Sequence, residues 1–182
     1  MAFNFMPKLM SYLSLLLLVL SGNAFSSQAS PVEQIGSEKI IQWKYYITEK
    51  FYGHNATIVA IAGIPGRLWA PYTFGTLIVG DNPVTAGPSP YSGKVGNVRG
   101  LVLISSRDGR YNYISSSLMF TNREYNGSTL QIQGTFDRPS RQASELSIIG
   151  GTRKLEDARG SAFLQTYRGS ILLFILKFTY YK

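Results

Sequence analysis

Residues 101–134 read LVLISSRDGRYNYISSSLMFTNREYNGSTLQIQG. Three runs, LVLIS, YNYISSSLMF and STLQIQG, are rich in β-branched and aromatic residues and alternate with a period of two. Between them stand RDGR and YNGS, whose Asp, Asn and Gly favour tight turns. The stretch therefore predicts strand, turn, strand, turn, strand. Outward from it the same rhythm continues. WKYYITEKF, IVAIAG and TFGTLIVG precede it, and ELSIIGG, GSAFLQT and SILLFILKFTYY follow, separated by GIPG, DNP, DRPS, GGTRKLEDARG and YRG. Helix-spaced apolar positions are missing after the first residues, and only KLEDAR is suited to a helical turn. Eight or nine short strands without a βαβ rhythm predict an all-β domain, either a sandwich or a closed barrel.

Two segments bear on how such a domain is used. DNPVTAGPSPYSGKVGNVRG, residues 81–100, reads as a long connection that is expected to cover a barrel mouth and tune access to its cavity. In SILLFILKFTYY, Leu172, Phe174, Leu176 and Phe178 point one way and Ile171, Leu173 and Ile175 the other. A solvated antiparallel strand would be polar on its outer face, so this apolar exterior predicts a subunit interface.

The first residues follow a different logic. Lys8 is followed by the apolar run of residues 13–20 and then by Gly22 and Ala24. That run is short of the roughly 20 residues a membrane span needs. It matches a signal peptide, residues 1–24, cleaved after Ala24, with Ala29 as second choice. Residues 25–38 are then a polar, flexible arm and residues 39–182 the domain. The expectation is a secreted protein with no membrane attachment after cleavage. The chain has no cysteine, so stability outside the cell must come from packing or oligomerisation rather than disulfides. In that compartment Asn55 (Asn-Ala-Thr) and Asn126 (Asn-Gly-Ser) are candidate glycosylation sites.

Chemistry has few candidates. Without the signal peptide, 17 basic residues (18 less Lys8) face 10 acidic ones, but they are scattered and form no nucleic-acid stripe. His54, in the turn-like GHNA, is the single histidine, which leaves no ligand set for a His/Cys metal site. No glycine-rich loop opens a helix, so nucleotide binding is unsupported. Carboxylates remain. Glu49 shares a strand face with Trp43, Tyr45, Ile47 and Phe51. Inside a barrel it would be a desolvated acid with a raised pKa, as a general acid requires; at a strand end it would reach water or an arginine. Asp137 is a second acid at a strand end, where a turn-forming role before Pro139 is the alternative.

These motifs resemble the plant dirigent protein family. The resemblance is carried by Phe74-Gly75, Asp81-Asn82-Pro83, Thr85, Gly87-Pro88, Ser92, Val95-Gly96, Gly100, Asp108-Gly109 and the run Glu124–Leu130, EYNGSTL, and further on by LSIIGGTRKLEDARG. It extends over about residues 41–180. It implies an eight-stranded antiparallel β-barrel of the calycin-like class, secreted to the apoplast as a homodimer or homotrimer. It also implies no cofactor and no oxidative centre. A separate laccase or peroxidase generates phenoxy radicals from a monolignol such as coniferyl alcohol, and the barrel orients them for stereoselective coupling to lignans. Some relatives instead remove water from an isoflavanol through a quinone methide, and a binding barrel without chemistry is a third possibility. Carried over to this chain, the acids are Glu49 and Asp137, and Tyr45, Ile47, Phe74 and Arg141 are the substrate-binding candidates. Departures from the family pattern fall at Thr48, where a histidine is usual, at Val102, where a tyrosine is usual, and at Ser144, where an arginine is usual.

Overall fold

The structure, a computed structural model, describes residues 38–181. The expected signal peptide and arm lie outside the described residues, except that Glu38 opens the first strand. Nine antiparallel strands follow in chain order: β1 Glu38–Thr48, β2 Ile58–Ala62, β3 Leu77–Thr85, β4 Lys94–Ile104, β5 Tyr111–Phe120, β6 Thr129–Asp137, β7 Ser144–Thr152, β8 Arg159–Arg168 and β9 Ile171–Tyr181. Each strand from β3 to β9 pairs with the next, and β9 pairs with β1 along its whole length, from Glu38↔Tyr181 to Thr48↔Ile171. Closure comes from Tyr46↔Thr85 and Ile47↔Val84, which join β1 to β3. The result is a closed eight-stranded antiparallel barrel. Its ninth strand, β2, lies beside the first half of β3, from Ile58↔Gly80 to Ala62↔Leu77. The helical turn expected in KLEDAR is a 3₁₀ turn at Arg153–Leu155.

The stretch 81–100 is mostly strand, which corrects its reading as a long connection. Asp81–Thr85 completes β3 and Lys94–Gly100 begins β4, paired from Asp81↔Arg99 to Thr85↔Lys94. Residues 86–93 alone form the loop. Pro83 is tolerated inside a strand because of the seam. It pairs with Asn97 of β4 but on its other side falls between the part of β3 that pairs with β2 and the part that pairs with β1, so that side behaves as a strand edge.

Period-two alternation fills the barrel unevenly. At the end formed by the β5–β6 and β7–β8 hairpins, the interior is solid. Trp43 meets Phe120, Tyr125 and Phe178 edge-on, with ring centroids 5.4, 4.9 and 5.0 Å away. Phe120, Leu118, Leu130, Leu155 and Leu176 are fully buried around it. Toward the other end, neighbouring inward positions carry almost no side chain: Gly80 pairs with Gly100, and Gly100 with Ser116. A Cβ on Gly100 would stand 2.3 Å from the Ser115 carbonyl oxygen, so the strands come too close here for any other residue. This row of small residues leaves a hollow. On β9, Leu172, Phe174, Leu176, Phe178 and Tyr180 are buried inside. Ile171, Leu173 and Ile175 face outward and are half-buried on the same face as Tyr46 and Tyr167, whose rings meet at 5.3 Å.

Candidate active site

The hollow is a narrow cavity of about 60 Å³, walled by Ile47, Ile58, Val98, Ile114, Ile132, Leu146, Leu164, Leu172 and Phe174, with Asn82 and Ser116 as polar members. At roughly 10–15 Å³ per water it has room for about four waters. From the stretch 81–100 it draws Asn82, Val98 and Gly100, all on strands, so the contribution of that stretch is to the wall rather than to a cover.

Glu49 lies at the mouth of this cavity, one residue past the end of β1, with its backbone N–H donating to Ser170 O at 2.8 Å. The alternation of β1 turns Ile41, Trp43, Tyr45, Ile47 and Glu49 toward the interior, and Glu49 is 7% exposed. Its partner is Arg138. Both terminal nitrogens of the guanidinium reach the two carboxylate oxygens at 3.3 Å, longer than a tight charge-assisted bond. The Nε of Arg138 is buried without a partner. The guanidinium also lies over the Phe51 ring at 5.6 Å and the Phe136 ring at 5.8 Å. Burial pushes the Glu49 carboxyl above its ordinary range, and the pull of Arg138 in the other direction is too weak to cancel it.

The other site candidates are placed differently. Ile47 lines the cavity. Asp137 does not join Glu49; it turns outward and accepts from Arg110 Nε at 2.9 Å and an Arg110 terminal nitrogen at 2.6 Å, which hold its carboxyl below the ordinary range. Alternation is the cause. Leu130, Ile132 and Phe136 are buried on the inner face of β6, so position 138 continues that face and 137 opposes it. Tyr45 belongs to the solid end, 5.9 Å from the Trp43 ring, where burial first and the Glu124 charge second push its phenol up to about 12. Arg141 is exposed in the β6–β7 connection, where its carbonyl accepts from Gln165. Phe74 is half-buried in the β2–β3 connection, outside the cavity lining. Asn55 and Asn126 are both exposed, and His54 is exposed beside Asn55. Among the described residues no group of three His, Cys, Asp or Glu is arranged to hold a metal ion.

Arg138, rather than its neighbours Asp137 and Arg141, is the residue that the fold brings to Glu49. Its signal was the period-two phase of Leu130, Ile132 and Phe136. A wider groove of about 610 Å³ lies outside the cavity, lined by Phe51, Tyr52, Trp69 and Tyr72 among others, and Ile58 is common to both linings. The site thus combines one carboxyl, one guanidinium and an apolar wall. It can donate and accept a proton and can steady a negative oxygen.

The family model for dirigent-like protein matches residues 40–180. Dirigent protein 1 of Arabidopsis thaliana is 32% identical over 168 residues, 92% of this chain and 91% of that protein. Pterocarpan synthase 1 of Glycyrrhiza echinata is 29% identical over 153 residues, covering 84% of this chain and 81% of its own. A solved pterocarpan synthase dirigent protein superposes with a TM-score of 0.75 at 28% identity, over 80% of this chain and 87% of that one. Sequence match, relatives and barrel agree, and the chain belongs to the dirigent-like protein family.

Proposed function

We propose that the barrel acts on a single phenolic alcohol, removing water through a quinone methide and guiding the ring closure that follows. The observation that carries this reading is Glu49, a buried carboxyl facing one guanidinium at the mouth of an apolar cavity, where a proton can be given and taken back without a second acid. In the reaction, the phenol's proton passes to Glu49 and Arg138 steadies the phenolate. Glu49 returns the proton to the departing hydroxyl, the C–O bond breaks with its electron pair on water, and the phenolate electrons shift to form the quinone methide. A second hydroxyl of the same molecule adds to the methide carbon, and its proton restores the first phenol. The net change is loss of one water, with no oxidant. Resemblance to pterocarpan synthases, at 29% identity in sequence and a TM-score of 0.75 in structure, supports the same class.

Sequence alone favours radical coupling instead, with Asp137 as a second acid. The outward turn of Asp137 weighs against that version. What still favours coupling is the wide aromatic groove next to the cavity, suited to stacking a second phenolic ring. The test is incubation with a phenolic isoflavanol without oxidant, followed by chiral chromatography. A ring-closed, dehydrated product of one handedness is expected. If nothing is dehydrated, but coniferyl alcohol oxidised by a laccase couples stereoselectively with the protein present, the coupling reading replaces this one. We further propose that the chain is secreted, carries glycans at Asn55 and Asn126, and self-associates through the outer face of β9. Mass measurement of protein recovered from plant extracellular fluid tests the first two points.

A further inference from the structure

The ion pair at the cavity mouth has three features of a contact made to be exchanged. Its bonds are long, at 3.3 Å, and among the described residues no other hydrogen-bonding side chain holds either group. The Arg138 guanidinium is held by the faces of Phe51 and Phe136, which leaves its edge free to change partner without losing its seat. Glu49, 7% exposed, depends on Arg138 as its counter-charge. The other cavity-lining residues are apolar or neutral, from Asn82 on β3 to Ser116 on β5. Lys50, next in the chain, is exposed, and Arg110 and Asp137 neutralise each other outside. A further constraint is space. With room for only about four waters, the cavity admits an aromatic ring only if side chains at its mouth shift.

A low-dielectric site with one fixed cation is stable with one anion, not two. We propose that an aromatic ligand bearing an ionised oxygen takes Arg138 from Glu49, and that Glu49 takes one proton from solvent as it loses its counter-charge. Binding of a phenolate is therefore coupled to uptake of a proton wherever Glu49 is ionised in the free protein, and the ligand turns Glu49 into a neutral acid. This rests on the reading of Glu49 and Arg138 as the working pair. It goes beyond that reading in assigning the exchange of partners at Arg138 and the coupling of binding to proton uptake.

The test uses 4-nitrophenol at mildly alkaline pH, where the probe is the coloured phenolate. Calorimetric titration in buffers of different ionisation enthalpy gives the protons exchanged on binding, and the visible band gives the ionisation state of the bound probe. Wild-type protein should bind the probe with its colour retained and take up close to one proton per probe. Glu49→Gln should still bind the phenolate, with proton uptake lost. Arg138→Lys should keep the uptake with weaker binding, and Arg138→Ala should lose the coloured bound form. Phenolate binding without proton uptake overturns the proposal, as does equal uptake in Glu49→Gln or the absence of saturable binding by the wild type. The probe has no leaving hydroxyl. Proton uptake without any dehydratase activity therefore removes only the functional reading, and dehydration without uptake removes only this one.

Discussion

The two ends of the barrel share strands, register and alternation, yet one is solid and the other hollow. In the solid end the inward positions carry Trp43, Phe120, Tyr125 and Phe178 in edge-to-face contact. In the hollow end they carry Gly80, Gly100 and Ser116, and the one ionisable group in the lining, Glu49, meets Arg138. The residues that mark the family gather mostly at the solid end: EYNGSTL in the β5–β6 hairpin, GGTRKLEDARG across the β7–β8 hairpin, and Val95-Gly96 at the start of β4. Fewer of these marks reach the hollow end, where Asn82 and Gly100 belong to the cavity wall.

That division is open to attack by substitution. Phe120→Ala, in the solid end, should cost about 3–5 kcal/mol in chemical denaturation. Turnover per folded molecule should be unchanged. A large loss of turnover at unchanged stability would erase the distinction between the ends. Glu49→Gln should do the reverse, lowering turnover by roughly 10²-fold or more while leaving the fold intact by circular dichroism. Ser116→Leu places a bulky side chain in the cavity. Ligand binding should be lost in titration, with a melting temperature equal to or above that of the wild type.

The pH dependence of stability sharpens the comparison further. The folded-state pKa of Glu49 is raised, so its contribution is fully present below about pH 4, the unfolded carboxyl value. It is lost as pH rises through the folded value. Wild-type protein should therefore lose stability relative to Glu49→Gln as pH rises from about 4, measured by urea melts over a pH series. The smallest effect is expected at Asp137. Asp137→Asn breaks an exterior pair with Arg110 and should leave both turnover and proton uptake unchanged; a strong loss of either would restore it as a second acid.

How much of this was legible follows the same division. Turn chemistry and alternation are local, so the strands, the all-β class and the inward face of Glu49 could be read from WKYYITEKF and its successors. Closure into eight strands came through resemblance rather than pattern, since sandwich and barrel share the same local signals. The site was read less well because it depends on phase. Asp137 was favoured over Arg138 by type, a carboxylate where an acid was sought. A one-residue step in the phase of β6 decides which of the two meets Glu49. Tyr45 was a reasonable aromatic wall by its face, but its height along β1 sets it beside Trp43, and height in a sheared barrel is a property of the register of all the strands. The stretch 81–100 misled because Pro and Gly usually punctuate, whereas here Pro83 uses a gap in the seam and Gly100 a close approach of strands.

The pairing of β1 with β9 has a consequence for time as well as for shape. The first strand of the domain is satisfied along its length by the last, so the barrel cannot close until the C-terminal residues have been made. Contacts of such long sequence separation slow folding. Through synthesis the row of partner groups on β1 stays open, its closure delayed by the whole length of the domain. A shortened chain ending before Ile171 should remain an open, association-prone sheet rather than a smaller barrel.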